Sequence, residues 1–300
     1  MSMRSLLVRS LAALAICLAA FAPIVSAQSA QPGPRPGAVK DFTRPMFTSP
    51  VLVRPFATYK WAANWLAAKP AVRTSGAQGL GFRPFVRPLI SDDDWNGAAG
   101  NWNATTWSLG SPPTSGNNAV ITNSGGQVQL NVSDTINNLT IGSGNLLNFV
   151  NNNSLTINGT TITNSNSTGS GGITMSAGGN DTNLIIGANV TLTGGGTVTL
   201  GNSVNNRIYG ALGTDILTNA NNTIQGSGQI GADQMGLVNQ GTIDANQATA
   251  LTVWTSNGTT NTGTLEATAG GNLILQNDAF TNAGGTILAS GSGSVATISE

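Results

Sequence analysis

The sequence predicts an all-β chain whose larger part is a stacked β-solenoid, and three observations carry that prediction. The first is a repeat. LVNQGTIDA from Leu237, TTNTGTLEA from Thr259 and FTNAGGTILA from Phe280 are copies of one pattern, and their asparagines Asn239, Asn261 and Asn282 stand 22 and 21 residues apart. A fainter copy, LTNANNTIQG, places Asn219 a further 20 residues upstream. A period near twenty is that of a solenoid, in which one coil cannot bury its apolar face alone and must stack on the next. The second observation is alternation. VQLNV at 128–132, LTI at 139–141 and 155–157, ITM at 173–175, VTLTGGGTVTL at 190–200, LTVW at 251–254 and NLIL at 272–275 alternate aliphatic and polar residues. Period two is that of a strand with one face inward, and helical spacing is absent over the same stretch. The third is composition. After residue 90, Asn, Gly, Ser and Thr supply more than half of all residues, with Val, Ile and Leu at regular intervals between them. Gly and Asn provide the positive-φ corners that tight turns need.

Taken in order along the chain, residues 1–27 have the form of a secretory signal. Arg4 and Arg9 precede the apolar run Leu11 to Phe21, and Val25-Ser26-Ala27 is a small-residue cleavage site with the cut expected before Gln28. The apolar run is too short to span a bilayer, and no later segment reaches the 18 or more apolar residues of a membrane helix.

Residues 28–90 form a basic, proline-rich stretch. Eleven of the twelve Lys and Arg residues and ten of the twelve prolines fall in residues 1–90. Eleven of the twelve acids fall in 91–300, so the zero net charge hides two oppositely charged halves. Segments such as QPGPRPG favour extended backbone, because proline removes a donor and pushes its predecessor out of the helical region. A largely disordered linker is expected, with a short helix over 58–68 where Trp61 and Trp65 stand at i, i+4. Its arginines and aromatics suit an anionic cell surface as partner; dispersed charges in an exported chain argue against nucleic acid.

Residues 91–117 hold Trp95, Trp102 and Trp107, placed to plug the open first coil as an N-terminal cap; stacking on sugars is the alternative. Residues 118–300 then give about nine rungs at ~4.8 Å spacing, a rod of roughly 43 Å. Asn239, Asn261 and Asn282 are expected to stack as a structural ladder.

The run DDDWNGAAGNWNATTWSLGSPPTSGNNAVI, from Asp92 to Ile121, resembles the opening of bacterial autotransporter passenger domains. The likeness rests on Trp95, Gly97, Gly100, Trp102 and Trp107, then Pro112 and Pro113, then INNLTIGSG from Ile136 to Gly144. The later NQGTIDA-type coils are similar to those of filamentous-haemagglutinin-like exoproteins. The resemblance covers about 210 residues. It implies a right-handed parallel β-helix of pectin-lyase-like shape, exported across the outer membrane of a Gram-negative cell. It also implies a C-terminal translocating barrel, which needs strands of about ten alternating residues with aromatic girdles. The sequence to Glu300 has none, so a chain truncated at its C-terminus, or another export route, is expected.

The chemistry available is narrow. There is no histidine, and the one cysteine, Cys17, lies in the signal. Cys/His zinc sites and His-dependent nucleophilic mechanisms are therefore excluded from the mature chain, and no cofactor is expected. Asp244 and Glu266 occupy equivalent positions in TIDA and TLEA and are the candidate catalytic pair. On adjacent rungs they would approach the ~5–5.5 Å carboxylate separation of retaining glycosidases. Against this, the next copy has Leu288, and Arg207 is the one basic residue after position 90. Asp92, Asp93 and Asp94 are the candidate calcium ligands, but the spacing of known calcium loops is absent and the run is expected as a solvated linker end.

The expected function is that of a secreted or surface-displayed β-helix protein in adhesion or as matrix material, with host or matrix glycans as partners. A carbohydrate-active enzyme, and a truncated fragment without independent activity, are the alternatives. Self-association through an exposed last coil is also expected, because an open edge pairs readily with another chain.

Overall fold

The computed structural model describes residues 89–169, 171–276 and 279–299. The signal at 1–27 and the segment 28–88, with its expected helix over 58–68, lie outside the described residues. Every regular element among the described residues is a β-strand, and the strands form three parallel sheets of nine, nine and eight members. Each coil contributes one strand to each sheet in turn. One coil, for example, runs through Gly236–Asn239 in the first sheet, Thr242–Ala245 in the second and Leu251–Trp254 in the third. The next runs through Thr259–Asn261, Thr264–Ala267 and Asn272–Gln276. The chain is therefore a parallel β-solenoid of about nine turns.

The alternation seen in the sequence sets which side chains face in. In Leu251–Trp254 the burial alternates, with Leu251 and Val253 fully enclosed and Thr252 and Trp254 outward. Val128, Leu147, Ile173, Val198, Ile224, Ile243, Leu265 and Ile287 stand opposite one another through successive rungs of the second sheet. Burying an aliphatic side chain of this size contributes about 1.5–3 kcal/mol. The coil length is not fixed: Leu217 pairs with Leu237, but Thr161 pairs with Thr191, because the extra residues loop out at the corners and leave the strands in register.

The asparagines form a hydrogen-bonded chain inside the first sheet. Asn219 Nδ2 donates to Asn239 Oδ1 at 2.9 Å, Asn239 to Asn261 at 2.8 Å and Asn261 to Asn282 at 2.6 Å. Each amide also reaches the turn that follows it, as Asn239 Nδ2 does at Gly241 O, 3.2 Å. The three upstream members are fully enclosed, whereas Asn282, in the last described coil, is half-buried. The glycine of each N-x-G motif has a steric reason: a Cβ on Gly263 would collide with the carbonyl oxygen of Gly241 in the turn below.

The region 91–117 is itself part of the solenoid. Ser91–Asp94 pairs in parallel with Asn117–Ile121, and Ala99–Asn101 with Gln127–Leu130, so it supplies a first, incomplete coil. The three tryptophans close that coil. Trp95 and Trp102 flank Trp107 edge-on, at centroid distances of 5.2 and 4.9 Å, and all three are buried. Trp102 Nε1 donates to Asp134 Oδ2 at 2.7 Å and Trp107 Nε1 to Trp102 O at 2.7 Å. A Cβ on Gly97 or Gly100 would stand 2.9 or 3.0 Å from the Trp95 ring, which explains the W-x-G…G-x-W spacing: the indole lies down on bare backbone.

Replacing Trp102 by Ala is expected to cost about 3–5 kcal/mol in urea unfolding, as for other buried aromatics. Asn239→Ala, which strands the amides of Asn219 and Asn261, is expected to cost about 1–3 kcal/mol by the same measurement.

Candidate functional site

Strands Thr242–Ala245 and Thr264–Ala267 place Asp244 directly opposite Glu266 on the outer side of the second sheet. Ile243 and Ala245 point inward on either side of Asp244, so its carboxylate projects outward. It is nonetheless largely covered. Thr268 Oγ1 donates to both its oxygens, at 2.9 and 3.0 Å, and Asn246 Nδ2 donates to Oδ2 at 3.1 Å. Burial pushes the Asp244 carboxyl above its ordinary range, partly offset by the hydrogen bonds from Thr268 and Asn246. Glu266 is also pushed up, by burial first and then by the negative charge of Asp244. The pair thus has the electrostatics of two interacting carboxyls, with Asp244 better supplied with donors to its ionised form.

The surroundings are spare. The same outward column continues through Gln129, Asn148, Thr174, Thr199 and Gln225 before Asp244, and ends in the apolar Leu288 after Glu266. Arg207 lies on the third sheet, committed to Asp181 at 2.9 Å and to Asn183 Oδ1 at 2.9 Å. A recess of about 450 Å³ is lined by Thr114, Ser115, Ser133, Asp134, Thr135, Ser154 and Thr156, near the first coil, and does not include the carboxylate pair.

Asp92, Asp93 and Asp94, the candidate calcium ligands, are separated by the pleat of the strand that carries them. Asp93 faces in and is fully buried, accepting from Leu109 N at 2.9 Å and Ser108 Oγ at 3.2 Å. Asp92 and Asp94 face out, and Asp92 Oδ1 accepts from Asn118 Nδ2 at 2.7 Å. Neighbours on opposite faces of one strand do not converge on an ion. Among the described residues no three acidic, histidine or cysteine side chains are grouped to hold a metal. The sugar-stacking alternative for Trp95, Trp102 and Trp107 fails similarly, since their rings are enclosed.

One exposed aromatic was not singled out from the sequence. Trp254 is 38 % exposed on the third sheet, in an outward column that runs from Tyr209 through Gly231. Arg207 lies over the Tyr209 ring at 5.1 Å. The alternation in LTVW already assigns Trp254 to the outer face, and that was the available signal.

Compared with protein-family models, curated proteins and solved structures, the chain matches none.

Native Asp244 holds its proton more tightly than the unfolded chain does, so its burial costs stability above the ordinary carboxyl range and costs nothing below it. Asp244→Asn is therefore expected to be more stable than the parent at pH 7. The difference should close as the pH falls below 3.8, the ordinary value for this side chain, when both are unfolded in urea.

Proposed function

We propose that the protein is an exported rod of β-coils that works at or beyond the cell surface, in adhesion or as matrix material, through its long outer faces. The observation that carries this reading is the set of outward columns held in register from coil to coil, which presents repeated polar side chains along the whole solenoid. Such faces suit broad contact with extended polymers such as glycans, in which many weak interactions add. The signal-like start of the sequence supports the export step.

The Asp244–Glu266 pair favours a second reading, hydrolysis of a polysaccharide. In that reading Asp244, the better supplied with hydrogen-bond donors, acts as nucleophile or base and Glu266 as acid.

Expression of the full chain in a Gram-negative host tests the first reading. The expected outcome is a product in the medium or on the outer surface, starting at Gln28, that is retained on glycan-coated plates. A product confined to the cytoplasm overturns it. Release of reducing ends from acidic polysaccharide that disappears in Asp244→Asn would instead establish the enzyme.

A further inference from the structure

The outer face of the first sheet differs from the other two. It carries two columns of side chains, one from the fourth strand of the sheet onward and one from the second. One runs through Thr161, Thr191, Thr218, Val238, Thr260 and Thr281, each opposite the next. The other runs through Val120, Thr140, Thr163 and Thr193. The second column continues as Ala220, Gln240 and Thr262, whose backbone N–H groups keep the ladder with Leu192, Asn219 and Asn239. From Asn117 on, no side chain in either column is charged, and all are exposed or half-exposed. The charged side chains of the other two sheets, Asp244, Glu266, Asp134 and Arg207, are on other faces.

The result is a two-dimensional array. Its repeat along the stack is the strand spacing, ~4.8 Å, and its repeat along the strand is two residues, roughly 6.6 Å. Each threonine presents a methyl group and a hydroxyl, and β-branching restricts the orientations of both. Behind the array, in the same sheet, the chain of Asn219, Asn239, Asn261 and Asn282 ties rung to rung and pins the register.

We propose that this face binds ice. Ice carries no charge and offers no projecting group; what it offers is a plane of oxygens repeating in two directions, and only a surface that repeats in two directions can match it. The array's two repeats are close to those of a prism plane of hexagonal ice. Hydroxyls occupy oxygen positions of the lattice, while the methyls cage the water between them. Charged side chains would hold liquid-like water instead, which rules out the second sheet; the first-sheet columns carry none from Asn117 on, Gln240 being their one long side chain. There the column Thr197, Thr223, Thr242, Thr264 and Thr286 lies beside Gln225, Asp244 and Glu266.

The test is ice growth in the presence of the full chain. The expected result is faceted crystals and arrested recrystallisation. Thr191→Tyr and Thr218→Tyr, which break the array at its centre with a residue strands accommodate, should lose both effects. Thr242→Tyr on the second sheet should keep them, and all three variants should melt within a few degrees of the parent. Ice that grows and coarsens as in buffer, or equal loss in Thr242→Tyr, overturns the proposal. So does retention of the effect in both first-sheet variants, or binding of the face to crystalline cellulose with no effect on ice.

Discussion

The parallel hydrogen-bond ladder from each coil to the next is the interaction on which everything else in this molecule depends. In a nine-rung stack every interior strand is bonded on both edges, and its inward side chains meet the same kind of side chain above and below. A single coil has neither. Its short strands would leave backbone groups unpaired, and its two or three aliphatic residues per strand would stay wet. Stability therefore belongs to the stack. The corners, which carry little of it, absorb changes in loop length such as the long step from Thr161 to Thr191.

A stack has two ends, and the molecule treats the first of them chemically. Among the described residues nothing lies beneath the opening coil to continue the aliphatic columns, and three indoles are buried there, packed edge to face, with Trp102 anchored by Asp134 and Trp107 by backbone. The tryptophans fit because Gly97 and Gly100 leave no Cβ in the way. The same logic of close approach governs the N-x-G turns, where glycine lets one turn settle on the carbonyl of the turn below. Aliphatic packing sets the interior in most of the solenoid. In the first sheet, from Asn219 on, an amide chain replaces part of it, and buried amides are tolerable there because each finds a partner in the next rung.

The outer surface divides into faces of different chemistry because the three sheets point in three directions. The second sheet gathers the paired carboxylates, both pushed up by burial, with Glu266 pushed further by the charge of Asp244. The third carries Arg207, Tyr209 and Trp254. The first, from its second strand onward, is uncharged and rich in threonine. The carboxylate pair lies apart from the recess near the first coil.

The solenoid, its strands, its inward residues and the asparagine chain were legible in the sequence, because period-two alternation and a twenty-residue beat are one-dimensional signals of local geometry. The adjacency of Asp244 and Glu266 was legible for the same reason, being a consequence of the repeat. What the sequence could not determine is which outward residues from coils of unequal length fall into one column. The threonines 161, 191 and 218 are unevenly spaced along the chain and become neighbours only once the corners have looped out the difference. Nor could it show that Asp92, Asp93 and Asp94 are split across a pleat whose inward member is already held by Ser108 and Leu109. Side-chain alternation is written into the backbone of each strand, whereas the meeting of strands from different coils is fixed by the register of the stack, and only the folded molecule has one.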